Sequence, residues 1–419
     1  MSRVLPSGEI VELVYDAKSG RTRLAVGIDG EFSVEDAVGI DANAKLVPVS
    51  PENDLIKHGV LLLPSAPETF DSVAKLVADI EAYLYRYVDL SERFRRIAAY
   101  YVLLTWVYDA FNELPYLRLR GDFGSGKSRA LLVIGSLCYK AFFASGASTV
   151  SPIFHLLDSL RGTLIVDEAD FRFSDENAQL VKILNNGNTR GFPVLRTMLT
   201  PKREFVPRAF SVFSPKVIAM RHGFDDPALE SRFITEDMGQ RALRDDIPIS
   251  LPDEQKGEAL LLRNQLLSYR FAQLPTASID PLLVDPDLSP RGNQIILPLL
   301  SLIDDEETRD EIAALAKGIE RTEQVARSAT VEAHVLDVLR SLLGDEATER
   351  VTVGDLTGAL TERYGGEYER PLTSRYVGNI VRKRLHLPTY KSRGVYVIPK
   401  GLRGQVEILC KKYGLDAEA

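Results

Sequence analysis

A glycine-rich octapeptide, Gly121-Asp122-Phe123-Gly124-Ser125-Gly126-Lys127-Ser128, constrains this chain more than any other feature. The short alternating run Tyr116–Arg120 leads into it, and a helical pattern over Ser128–Tyr139 leads out. Strand, glycine loop and helix in that order give G-x-x-x-x-G-K-S its structural context. Glycines let backbone N–H groups close around phosphate oxygens. In such a loop Lys127 would neutralise charge on the β- and γ-phosphates, and Ser128 would ligate Mg²⁺. The segment therefore predicts a nucleotide site spanning all eight residues, with ATP and Mg²⁺ as its ligands.

The next 120 residues alternate short apolar runs with helical periods. Ala141–Ala144 and Thr163–Val166 read as strands, Pro152–Leu160 and Glu176–Leu184 as helices, and Lys216–Met220 as a further strand. Such alternation implies a parallel sheet with helices on both faces, a three-layer α/β core. The run Thr163–Val166 ends in Asp167-Glu168-Ala169-Asp170. At the end of a strand near a phosphate loop, Asp167 would hold Mg²⁺ and Glu168 would polarise an attacking water. The letters DEAD also name an RNA helicase family. Only about 40 residues separate them from the glycine loop here, and that family's other signatures are absent.

Asp226–Phe233 (DPALESRF) follows the last of these strands and carries Arg232. An arginine placed there can reach a neighbouring subunit's triphosphate and stabilise charge developing on its γ-phosphate. That reading requires a ring or filament. Val194–Leu199 and Glu204–Phe210 alternate around Thr200-Pro201-Lys202 and predict a β-hairpin with Lys202 and Arg203 at its turn and Arg196 and Arg208 on its strands. These side chains can meet phosphates; an ordinary polar hairpin would read the same way.

GDFGSGKS, LIVDEAD and LESRF, in this order and spacing, resemble the AAA+ ATPases. The similarity is greatest to the minichromosome-maintenance-like and phage or plasmid replicative helicases of mobile elements, and it covers about residues 116–239 well. The resemblance implies a hexameric ring, a helical lid, and a pre-sensor hairpin that grips DNA in the pore. It also implies that Arg291, in SPRGNQIILPLL, is the sensor-2 arginine. One position departs from the family. Its polar residue at the end of the sensor strand is replaced by Met220, followed by Arg221 and His222. Either Arg221 takes the role, or the coupling differs, or the alignment is displaced by a residue or two.

The flanks read differently. Residues 1–65 alternate polar and apolar around the turn Asp16–Gly20 and predict a small β-rich module. Residues 66–115 read as helices, with Ser91 starting the second. The core is expected over 116–245, a helical lid over 246–328, and a winged helix over 329–419. In that last part Thr373–Leu385 would be the recognition helix, carrying Arg375, Asn379, Arg382 and Lys383. Lys391 and Arg393 would tip the wing. Charge supports the assignment. Residues 370–412 carry +10 in a chain of net −8, which leaves −18 for the remainder. A local polyanion-binding module on an acidic body is the reading. Winged helices also bind proteins, so this alternative stays open.

Two well-separated cysteines exclude a disulfide framework or a cysteine-based zinc site. No apolar run reaches the roughly 18–20 residues of a membrane span, and Met1–Val14 lacks an apolar signal core. A cytoplasmic protein with no membrane partner is expected. The sequence-level expectation is a ring-forming DNA helicase or translocase of a mobile element or phage. A non-helicase AAA+ switch (initiator, loader or transposition regulator) is the alternative, and a protein remodeller or defence ATPase is a third.

Overall fold

The computed structural model describes residues 2–28, 30–41, 44–145, 150–167, 175–199, 204–224, 226–345, 350–368 and 370–415. They form two compact units, Met1–Ala314 and Leu315–Ala419.

The first unit begins with an antiparallel sheet of β1 (Ser2–Val4), β2 (Ile10–Asp16), β3 (Arg21–Ile28) and β4 (Glu31–Glu35) in sequence order. The turn expected at Asp16–Gly20 joins β2 to β3 with Asp16 opposite Arg21. A hairpin of β5 (Val38–Asp41) and β6 (Ala44–Leu46) and the short α1 (Asp54–Lys57) complete this part. Leu13, Leu24, Val26 and Leu61 fill its core.

This sheet is tied to the rest of the unit by buried charge. Glu12 of β2 is 1% exposed. It accepts hydrogen bonds from Lys140 Nζ at 2.7 Å, Arg270 Nε at 2.7 Å and Tyr139 Oη at 2.9 Å. Arg270 also clamps both carboxylate oxygens of Asp109, at 2.8 and 2.7 Å. Burial pushes the Glu12 carboxyl up, but Lys140 and Arg270 outweigh it and hold it at about 2. Two cations and two carboxylates thus neutralise one another, which is what a buried cluster needs to be tolerated.

Two helices follow, α2 (Val73–Tyr87) and α3 (Glu92–Val107). Each opens on a serine whose hydroxyl accepts a backbone N–H three residues on, Ser72 from Lys75 and Ser91 from Phe94. Every residue from Ile97 to Val107 is buried, so the apolar stretch there is a core helix.

The central sheet has five parallel strands: β7 (Tyr116–Arg120), β8 (Phe142–Ser145), β9 (Leu164–Asp167), β12 (Lys216–Met220) and β13 (Phe233–Asp237). Their order is β13-β7-β12-β9-β8. Between them run α4 (Lys127–Gly135), α5 (Val150–Leu160), α6 (Asp175–Asn186), the hairpin β10 (Val194–Leu199) with β11 (Phe205–Phe210), and α7 (Pro227–Glu230). Buried side chains on successive sheet residues show that both faces are covered. The strand β13, absent from the sequence-level reading, lies at the edge beside β7, with Phe233 opposite Tyr116. The chain leaves β7 towards the β8 edge and leaves β12 towards β13. The carboxyl ends of β7 and β12 therefore flank a switch point, where open α/β sheets bind their ligands.

After β13 come α8 (Glu254–Gln273), α9 (Pro290–Leu300) and α10 (Glu306–Ser328). In the second unit, α11 (Val331–Gly344), β14 (Val351–Thr352), α12 (Val353–Tyr364) and α13 (Ser374–Asn379) lead to a wider helical turn, Ile380–Arg384. Then come β15 (Tyr390–Ser392), β16 (Val395–Ile398) and α14 (Arg403–Lys412). The three strands form an antiparallel sheet, β14-β16-β15. Leu336, Leu339, Leu356, Val377 and Ile398 are among its buried core residues. Thr352 and Asp355 cap α12 reciprocally, the capping-box arrangement.

Candidate nucleotide site

The glycine loop leaves β7 at the switch point. Gly121 donates its N–H to the Met220 carbonyl at 3.3 Å, pinning the start of the loop to the end of β12. On the other side the turn after β13 packs against it. A Cβ added at Gly121 would stand 2.6 Å from the Met238 carbonyl oxygen and 2.9 Å from Ser125 Oγ. Only glycine fits so close an approach. Gly126, at φ +87°, takes the left-handed conformation that turns the chain into α4. The N-terminal N–H groups of α4 then face the loop with the positive end of the helix dipole, an arrangement suited to anions.

Lys127 opens α4 and folds back over the loop. Its ammonium donates to the carbonyls of Gly121 at 2.5 Å and Asp122 at 2.6 Å. Ser125 Oγ closes the loop further by donating to the Asp122 carbonyl at 2.8 Å. Ser128 is exposed in the first turn of α4. Asp167, half-buried, ends β9 opposite Ser145. One strand, β12, separates β9 from β7. At about 4.8 Å per strand, Asp167 stands roughly 10 Å from the loop's origin. That is room for a phosphate chain and a hydrated cation.

The fit to Mg²⁺ rests on the donor set. A hydroxyl and a carboxylate are hard oxygen ligands of the kind this ion takes. Among the described residues no group of three or more His, Cys, Asp or Glu could hold a metal ion. A cation here would arrive with nucleotide phosphates and complete its shell with water. Glu168, the expected water-polarising carboxylate, lies outside the described residues.

Arg232 and Arg291 come together, but at the opposite edge of the sheet. The Arg232 carbonyl accepts from Tyr116 N–H at 2.9 Å, at the amino end of β7. Five residues of strand separate that point from Gly121, about 16 Å. The Arg232 guanidinium donates to Asn188 Oδ1 at 2.9 Å, Asn185 Oδ1 at 2.6 Å and the Ala228 carbonyl at 2.9 Å. Arg291 donates to that same Ala228 carbonyl. Burial, reinforced by Arg291, pulls Arg232 below the usual arginine range. Arg291 thus stands beside Arg232 and away from its own chain's glycine loop. A sensor-2 role inside one subunit does not suit that placement.

On the hairpin Arg196 is half-buried and Arg208 is exposed. Arg196 lies 4.1 Å over the Phe154 ring and donates to Gln179. Arg208, its cross-strand partner, pairs with Asp158 at 3.4 Å. The outward face carries Leu195, Thr197 and Leu199 with Phe205, Pro207 and Ala209 opposite, and none of these is charged. Alternation along β10 puts Arg196 on the α5 side. Arg196, expected among the DNA contacts, is thus half-buried and engaged within the chain. Lys202 and Arg203 lie outside the described residues.

In the second unit Arg375, Lys383, Lys391 and Arg393 are exposed, and Asn379 is half-buried. Arg393 and Gly394 form the turn between β15 and β16, at φ +47° and +86°. Arg382 is used internally, with its guanidinium 4.5 Å over the Tyr396 ring. Arg384 is paired with Glu332 at 2.5 Å. The basic surface is thus narrower than the +10 segment suggested.

Three features escaped the sequence reading: Met238 against the loop, the Glu12 cluster, and a buried Arg118–Glu230 ion pair behind the site at 2.5 Å. The β-favouring run Phe233-Ile234-Thr235 was the available signal for β13 and hence for Met238. Arginine within the apolar run of β7 hinted at a buried partner. Nothing local marked Glu12.

No family model matches this sequence, and no curated protein does. Solved structures with some likeness include the C-terminal region of NrS-1, at 11% identity over 93% of this chain and 95% of that one, TM-score 0.37. JCV helicase is 11% identical over 59% of this chain and 61% of that one, TM-score 0.25. Cdc6p from Pyrobaculum aerophilum is 13% identical over 78% and 96%, TM-score 0.22. Likenesses this weak do not establish a shared mechanism.

Proposed function

We propose that this protein is an AAA+-type ATPase that assembles into a ring and acts on DNA. The observation that carries the reading is the position of Gly121–Ser128 at the switch point of a parallel sheet, with Asp167 ending a strand two places away. Lys127 would leave the loop carbonyls to neutralise the β- and γ-phosphates, and the α4 amides would hold phosphate oxygens. Ser128 and Asp167 would hold Mg²⁺, which supplies charge neutralisation across the phosphates. Glu168 would take the proton of the attacking water.

Arg232 lies too far from its own glycine loop to serve it, so it would serve a neighbour's. Held by Asn185 and Asn188, it is positioned at the sheet's amino edge rather than left trailing in solvent. Arg291 beside it adds a second positive charge to that edge. This role would require a ring, because a trans-acting arginine needs an adjacent subunit. DNA enters through the exposed basic residues of the second unit, where the helix α13 and the β15–β16 turn give a winged-helix reading.

Two modes of action follow. A helicase or translocase of a mobile element or phage would use the β10–β11 hairpin to move the strand. The half-buried Arg196, held against Phe154 and Gln179, favours the other reading, an initiator, loader or regulator that uses ATP to assemble on DNA without unwinding it. ATP turnover and strand displacement, measured together on forked duplexes, separate the two. Unwinding supports the helicase. DNA-stimulated turnover without unwinding supports the switch, and turnover indifferent to any DNA overturns both.

A further inference from the structure

Arg118 stands in the middle of β7, the strand that runs into the glycine loop. Its side chain is buried, and its two terminal nitrogens reach the two carboxylate oxygens of Glu230, at 2.5 and 2.7 Å. Such a forked pair fixes direction as well as distance. Its Nε donates to Thr235 Oγ1 of β13 at 3.0 Å, and its guanidinium lies 5.0 Å over the Phe233 ring. Glu230 also accepts the N–H of Phe224, in the segment that leaves β12. One carboxylate thus ties the loop strand to the chain that leads on towards Arg232.

Glu230 belongs to α7, a helix of only four residues. The carbonyl of Ala228 in the same turn accepts from both Arg232 and Arg291. One helical turn has too little hydrogen bonding of its own to hold a direction. Buried Leu229 sets how deep the turn sits, and the grip on Glu230 sets its rotation. A buried ion pair adds little net stability over an apolar pair of the same size, so its use here lies in the direction it imposes. We propose that Glu230 is a positioning residue: gripped by Arg118, it holds α7 so that Arg232 is presented to a neighbouring subunit's triphosphate. The proposal rests on the reading of Arg232 as a shared-site arginine. Glu230 itself touches no nucleotide. It links the strand that carries a subunit's own loop to the arginine which that subunit offers its neighbour.

The test is steady-state ATP turnover beside equilibrium ATP binding, both on the full chain. Glu230→Gln keeps the shape of the side chain and loses its charge. It should lower turnover by about tenfold to a hundredfold, the scale of a misplacement near 1 Å, and leave ATP affinity unchanged. Added to Arg232→Ala it should cost nothing further, because the group it positions is gone. Lys127→Ala subunits carry an intact Arg232, so mixing them with Glu230→Gln subunits should recover turnover. Arg118→Met combined with Glu230→Gln removes both charges and spares the fold an unpaired buried one; it should show the same loss and the same recovery. Undiminished turnover, a parallel fall in ATP affinity, a further loss on the Arg232→Ala background, or a defect that mixing does not relieve overturns the proposal. Full turnover in Arg232→Ala alone overturns the shared-site reading on which it rests.

Discussion

Replacing Glu12 by glutamine tests how the N-terminal sheet is fixed to the rest of its unit. The substitution keeps shape but removes one of two carboxylates facing Lys140 and Arg270. The cluster then carries an uncompensated buried positive charge, which costs about 3–5 kcal/mol. Linkage gives a similar figure. A carboxyl held at about 2 rather than 4.5 corresponds to about 3 kcal/mol of stabilisation at neutral pH. The folded value is depressed, so the contribution is complete above the unfolded value and fades as pH falls through the folded one. The gap between the two proteins should narrow to about 2 kcal/mol near pH 3.5. Trp106, the sole tryptophan, is buried and gives its carbonyl to Arg270. Its fluorescence during urea unfolding reports the transition at the cluster. A loss below about 1 kcal/mol at neutral pH, or a gap that does not change with pH, would refute the assignment of Glu12 as the charge that balances this core.

Three other outcomes follow from the geometry. Gly121→Ala places a methyl against the Met238 carbonyl and should weaken ATP binding about tenfold or more while lowering the melting temperature, because the backbone around the loop must shift; titration with a fluorescent ATP analogue, beside thermal unfolding, measures it. Arg232→Ala should lower turnover by about a thousandfold while ATP still binds. Mixing it with Lys127→Ala subunits should recover activity, because each variant supplies what the other lacks; no recovery would place Arg232 outside a shared site. Replacing Arg375, Lys383, Lys391 and Arg393 together by alanine should flatten the salt dependence of duplex binding by about 0.9 for each phosphate that is no longer neutralised, read by anisotropy across a salt series. An unchanged slope would move the DNA surface elsewhere.

The alternating α/β core was legible because local pattern dictates it. Lys216–Met220 runs over the residues that its apolar run predicts and Val194–Leu199 over those that its alternation predicts, and Ser91 caps α3 with its own hydroxyl. Glycine at 121 and 126 reflects backbone constraints that the motif carries in plain sight. What stayed hidden depends on partners remote in sequence. Arg196 reads as a surface cation until Phe154 and Gln179 are placed beneath it. Arg232 and Arg291, 59 positions apart, share one carbonyl that neither's neighbourhood announces. Glu12 looks like an exposed strand position and is instead enclosed by residues as distant as Arg270. The tip of the hairpin and Glu168 lie outside the described residues, so Lys202, Arg203 and Glu168 rest on sequence alone.

The central claim is that Gly121–Ser128 binds ATP for hydrolysis that DNA controls. Phosphate release by the purified chain, with and without single- and double-stranded DNA and beside Lys127→Ala, tests it most directly. The account predicts Mg²⁺-dependent turnover that DNA stimulates and that Lys127→Ala abolishes. Turnover that survives in Lys127→Ala, or its absence from the unsubstituted chain in every assembly state tested, would contradict it.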